Sequence, residues 1–158
     1  TAGMLLHDVL FAPFFSGSAG VGMNWHWNAY VHPNDLWYHF GRFAEAVKGI
    51  NPIRESFIPK KFESENLRLY VLSGKESVMI WARDKNNTWR TELEAGIPPM
   101  MLSMEEITTD LIGITDPDVI EKVDLYDPWK NEWIGGNVID NTIPLPDFKR
   151  SLVIRLKI

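Results

Sequence analysis

The sequence runs to 158 residues, 45% hydrophobic, 12% aromatic and 23% charged, with a formal net charge of −5. Seven Trp, eight Phe and four Tyr exclude a disordered tail, because burying them offsets the entropy of ordering the chain. The acidic balance argues against a nucleic-acid partner, no apolar run reaches the ~20 residues of a membrane span, and zero cysteines remove disulfides, thiol catalysis and Cys-held metals.

Residues 4–15 are apolar on almost every face, which predicts a buried helix rather than an amphipathic surface one. Ser16-Gly17-Ser18-Ala19-Gly20 ends it. Val21, Met23, Trp25 and Trp27 then alternate with Gly22, Asn24 and His26, the period of a strand. Asn34 reads as the N-cap of a helix over 35–48 that Gly49 closes. One strand and two helices cannot satisfy themselves, so residues 1–50 read as the end of a larger α/β domain. On this reading the chain associates with itself through residues 4–31, or that segment is mobile.

After Asn51-Pro52 the texture changes. Residues 67–71 alternate, and 78–81 form a compact apolar strand ahead of the turn cluster Asp84-Lys85-Asn86-Asn87. Further strands are expected over 89–93 and 102–108, although Met104-Glu105-Glu106 also suits a short helix. Residues 119–126 and 132–134 read as a hairpin across Asp127-Pro128-Trp129-Lys130-Asn131, and 142–145 and 152–158 close the chain. Six or seven short strands with regular turns predict an antiparallel Ig-like β-sandwich over 51–158. The fold class is therefore α/β followed by all-β.

The succession Leu6-His7-Asp8-Val9-Leu10-Phe11-Ala12-Pro13-Phe14-Phe15, Met23-Asn24-Trp25-His26-Trp27-Asn28-Ala29-Tyr30 and His32-Pro33-Asn34-Asp35-Leu36-Trp37 resembles the carboxyl-terminal end of clan A glycoside hydrolases, the (β/α)₈ TIM barrels typified by family five. Ile80-Trp81-Ala82-Arg83-Asp84, Tyr126-Asp127-Pro128-Trp129 and Leu145-Pro146-Asp147-Phe148 resemble the sandwich that follows some of these barrels. The resemblance implies that 21–27 is the eighth barrel strand, between the seventh and eighth helices, and that both catalytic carboxylates lie in an N-terminal part of the barrel upstream of residue 1. It also implies a β-linked polysaccharide or oligosaccharide substrate. Clan A barrels place a Trp at the end of the eighth strand, beneath the sugar, so Trp27 is the first candidate for substrate contact and Trp25 the second. Asn28 follows with a hydrogen-bonding arm for a hydroxyl.

No acid pair falls where two strand ends would set it for glycoside cleavage; Asp8 and Asp35 belong to helices, and Glu105, Glu106, Asp116 and Asp118 to loops. No catalytic residue is assigned, and no cofactor or metal is expected. His26 reads as a packing residue, and a metal held by His32, His39 and Asp35 is disfavoured. The Gly-Ser stretch runs from helix to strand, the reverse of a phosphate loop, and no Gly-x-Ser-x-Gly elbow is present. Trp81, Trp89, Trp129 and Trp133 read as core; set in a row on a solvent-facing sheet, they would instead mark an autonomous carbohydrate-binding module. The compartment stays open, with a secreted or extracellular one favoured.

Overall fold

A computed structural model describes residues 3–158. The first helix is where its apolar run predicts: α1 spans Met4–Phe15. Gly17, at φ 91°, then takes the left-handed conformation that ends it, with its N–H on the Phe14 carbonyl at 2.9 Å. What α1 packs on differs from the expectation. Its Leu6, Leu10, Phe11 and Phe15 are buried against Leu72, Met79, Trp81, Tyr126 and Val153, so its cover is a β-sheet within the chain.

That sheet holds β1 (Ile58–Glu63), β2 (Leu67–Ser73), β3 (Ser77–Asp84), β5 (Lys122–Asp127), β6 (Glu132–Gly136) and β8 (Ser151–Lys157). Its order is β1-β2-β3-β8-β5-β6, with every pairing antiparallel. A second sheet pairs β4 (Glu106–Thr108) with β7 (Thr142–Pro144). Alternation sorts each long strand into two faces. Leu69, Ile80, Leu125 and Ile154 meet Ile107, Ile143 and Phe148 beneath the small sheet. Leu72, Met79, Trp81 and Val153 face the helices. The central strands β3 and β8 are thus covered on both sides, which explains why residues 78–82 and 152–154 are all buried.

The domain is sandwich-like, with six strands against two and helices on the outer face; an Ig domain divides its strands more evenly. The register pairs Trp81 with Val153 and Ile80 with Ile154. The hairpin across Asp127-Pro128-Trp129-Lys130-Asn131 is present. The Asp127 carboxylate accepts the N–H groups of Trp129 and Lys130, and Asn131 takes a positive φ.

Several elements depart from expectation, each for a local reason. Residues 21–27 are not a strand: Asn24 Oδ1 accepts the His26 N–H at 2.9 Å, an Asx turn that bends the chain, and a π-helical turn follows over Trp27–Val31. Among the described residues no strand pairs with this segment, so no barrel strand is formed. The following helix α2 is only Tyr38–Ala46, because Asp35 sits at φ 52°, outside helical geometry. Asn34 does not cap it; its Nδ2 donates instead to the Tyr30 carbonyl at 2.7 Å. A short helix α3, Pro52–Glu55, starts where a plain break was expected, because Asn51 Oδ1 accepts from Ile53 and Arg54 ahead of a helix-starting proline. The expected strand over 89–93 is a π-helical turn, Arg90–Glu94, since both edges of β3 are already taken by β2 and β8. Strand β1 lies in a stretch with no buried alternation; it is an exposed edge guarded by Pro59, Lys60 and Lys61.

Candidate functional site

The candidate residues Trp25, Trp27 and Asn28 lie on the segment that joins α1 to α2. Its start is pressed along α1. Gly22 donates its N–H to the Val9 carbonyl at 3.1 Å, and a Cβ added at Gly22 would stand 2.6 Å from that oxygen. Its far end is pinned by Val31 and Leu36, both fully buried, with the Leu36 N–H on the Val31 carbonyl. Between these anchors the side chains face water: Trp25 is 81% exposed and Trp27 57%, and Asn28 is exposed beside them. Trp37, which donates to His32 Nδ1 at 3.4 Å, stacks on Phe40 and adds a second aromatic surface after the turn. His26, read as a packing residue, is exposed, so that expectation is corrected along with the strand that suggested it. Trp25 and Trp27 no longer share a strand face. They share a turn whose backbone is fixed at both ends.

A second assembly lies under α1, and most of its members escaped sequence reasoning. Arg83 on β3 is buried and donates through Nε and Nη2 to the Asp8 carboxylate, both at 3.2 Å. Its Nη1 donates to Asn87 Oδ1 and to the Arg150 carbonyl, each at 2.9 Å. Asn87 passes a hydrogen bond to Glu92 at 2.7 Å, and Glu92 holds Arg150 in a bidentate pair. Arg150 lies over the Trp129 ring at 4.6 Å, Trp129 donates to Ser151 Oγ at 2.9 Å, and Ser151 Oγ meets His7 Nε2 at 2.9 Å. The chain of contacts begins and ends on α1 and clamps it to β3, β8 and the loop between them. A signal existed in the sequence: Asp8, an acid in a helix apolar all round, demands a buried cation.

Electrostatics follow this packing. Burial pushes the Asp8 carboxyl up, and the Arg83 guanidinium pulls it back. Burial also pushes Glu92 up, but hydrogen bonds from Arg150 and Asn87 outweigh it and hold the carboxyl below its ordinary range. His7 is held well below 6.5, first by burial and then by His39, Arg83, Arg150 and Arg42. Neither a Ser–His nucleophile nor a carboxylate pair for hydrolysis results. Ser151 is fully buried, and its oxygen is shared between Trp129 and His7, while the acids are spent on arginines. Among the described residues no group of three His, Asp or Glu could hold a metal ion.

The His7 environment fixes a pH dependence. The folded state keeps His7 neutral below 6.5, where the unfolded chain takes up a proton, so stability is complete above 6.5 and falls as pH drops below it. The loss per pH unit approaches ~1.4 kcal/mol for one proton. Chemical denaturation at pH 7.5, 6.5 and 5.5 should therefore show a gap between the wild type and His7→Gln that narrows as the solution is acidified. A gap constant with pH would mean that His7 titrates alike in both states.

The indoles read as core divide. Trp81 is core, 2% exposed. Trp129 is partly buried in the clamp, while Trp89 and Trp133 reach solvent. These two line separate clefts, Trp89 beside Arg68 and Trp133 beside Glu45 and Arg155, so among the described residues these indoles do not form a row on one sheet face.

No protein-family model matches the sequence, and no curated protein sequence matches it. The fold does have a solved counterpart. A Bacillus halodurans protein provisionally assigned as an alpha-N-acetylgalactosaminidase aligns over 99% of this chain with a TM-score of 0.54 and 13% identity. The chain spans about a third (32%) of that protein's length. The likeness establishes a shared fold.

Proposed function

We propose that this chain is part of a glycoside-hydrolase-related protein. In this reading residues 1–50, whose first helix packs on the sheet, lie between a (β/α)₈ catalytic domain and the accessory β-sandwich of 51–158. The catalytic carboxylates come from another part of the polypeptide, and the substrate is a β-linked polysaccharide or oligosaccharide. Support for the glycoside-hydrolase relation comes from the clan A resemblance of the sequence and from the fold shared with a third of a larger protein provisionally assigned as an alpha-N-acetylgalactosaminidase. The β-linkage rests on the resemblance alone.

The observation that carries the reading is the exposure of Trp25 and Trp27 on an anchored turn. Leaving an indole in water forgoes roughly 25 cal/mol for every Å² that burial would remove, and a flat ring held ready is suited to the C–H face of a pyranose. Trp27 would stack on the sugar, Trp25 would extend the wall, and Asn28 would hydrogen-bond a hydroxyl. The same exposed rings supply the surface through which the chain would associate with itself.

Titrating the chain with cellopentaose and mannopentaose while following tryptophan fluorescence tests this. At least one sugar should give a saturable change. Trp27→Ala should weaken it more than tenfold, and Asn28→Ala a few-fold. A response indifferent to Trp25 and Trp27, or none at millimolar sugar, overturns the reading. Hydrolysis of either sugar by the chain, lost on changing one of its own acids, would overturn the placement of the carboxylates.

A further inference from the structure

The chain is acidic overall, yet one cleft concentrates positive charge. It encloses about 410 Å³ between β2, β3 and the loop that follows β3. Arg68, Arg83, Lys85 and Arg90 line it against the acids Asp8 and Asp84. Arg83 and Asp8 neutralise one another, and Asp84 accepts the Asn86 N–H at 2.8 Å. Arg68 and Lys85 share a single carboxylate, Glu63, which Lys61 also reaches. Arg90 has no ion pair among the described residues; its guanidinium lies over the Trp89 ring, 5.2 Å from the centroid. Trp89 is 50% exposed on the cleft, and Tyr70 and Trp81, with ring centroids 5.2 Å apart, supply further apolar lining.

From this geometry we propose that the cleft binds an acidic saccharide, a sugar residue bearing a carboxylate. Three properties of the cleft select that class. Cations exceed the carboxylates available to them, since Arg68 and Lys85 share Glu63 and Arg90 has no ion pair among the described residues, so a bound anion finds an unmet positive charge. Arginine, planar and forked, holds a carboxylate in two parallel hydrogen bonds. A half-exposed indole beside those donors stacks on the apolar face of the sugar ring, which inorganic anions lack. The site is remote in sequence from Trp25 and Trp27 and stands independently of the neutral-sugar reading given above.

The test compares tri-galacturonic acid with its fully methyl-esterified form, which keeps the ring shape and removes the charge. Calorimetry on the full chain should show the acid binding at least tenfold more tightly than the ester. Arg90→Gln should weaken the acid about tenfold and Trp89→Ala by more, while the Trp25→Ala/Trp27→Ala double variant leaves it unchanged. Raising the salt from low to high concentration should weaken the acid and leave the ester alone. Arg90 and Trp89 are surface side chains, so folded variants are expected, with circular dichroism as the check. Equal affinity for acid and ester, binding of the acid indifferent to Trp89 and Arg90, or no binding at millimolar acid overturns the proposal. Binding of inorganic sulfate as tight as that of the acid does so too, since the cleft would then be a general anion site. Loss of binding in the Trp25/Trp27 variant would assign the acid to the other surface.

Discussion

Replacing Trp81 with alanine should destabilise the chain by about 3–5 kcal/mol, the usual cost of deleting a large aromatic ring from a packed interior. Trp81 stands where the two halves of the sequence meet. Its ring lies 5.9 Å from Phe11, 6.3 Å from Phe15 and 5.9 Å from His7 on α1, and 5.2 Å from Tyr70 on the sheet. Truncation leaves a void that neither a helix nor a central strand can collapse to fill. Domains of this kind are stable by about 5–15 kcal/mol in total, so the variant should be close to unfolding at ambient temperature. Trp25→Ala, which removes the same ring from an 81% exposed position, should change stability by less than about 0.5 kcal/mol. Guanidinium unfolding of the two variants measures the contrast directly. If residues 1–50 were merely lodged on the sheet, Trp81→Ala would release α1 without unfolding the strands, and near- and far-ultraviolet dichroism would report two transitions.

Glu92→Ala carries the second large effect, a loss of about 3 kcal/mol. The Glu92 and Arg150 side chains are only 10% and 14% exposed, and their bidentate pair includes a 2.6 Å contact. Removing the acid strands the Arg150 guanidinium above Trp129 and frees the Asn87 amide that Glu92 also accepts. The pair variant Glu92→Leu/Arg150→Met should cost clearly less than the single variants added together, because a buried pair replaced whole leaves no orphan charge. Acid should weaken the wild type by the same route. The Glu92 carboxyl is held below its ordinary range when folded, so its contribution is present above about 4.5 and is lost as pH falls through the folded value. A cost under about 0.5 kcal/mol for Glu92→Ala would place the pair with the solvent-screened ion pairs of protein surfaces.

How far the sequence speaks for this protein depends on whether a segment's partners are local. The α1 run, the turn over residues 16–20, the hairpin at 127–131 and the strands around 67–71, 78–81 and 152–158 were legible, because periodicity and turn chemistry are written within a few residues. The turn candidates Trp25, Trp27 and Asn28 were visible as residue types, but their setting was not. An alternating run becomes a strand only if another strand offers its edge, and among the described residues 21–27 find none, so the Asn24 turn prevails. The tertiary structure alone decided that α1 lies on the face of the sheet that carries Trp81. It also gathered Asp8, Arg83, Glu92, Arg150, Ser151 and His7 into one clamp. Those contacts join positions up to 144 residues apart, and no local pattern records a pairing at that distance. Sequence determined which segments needed burial; only the packed sheet decided what would cover them.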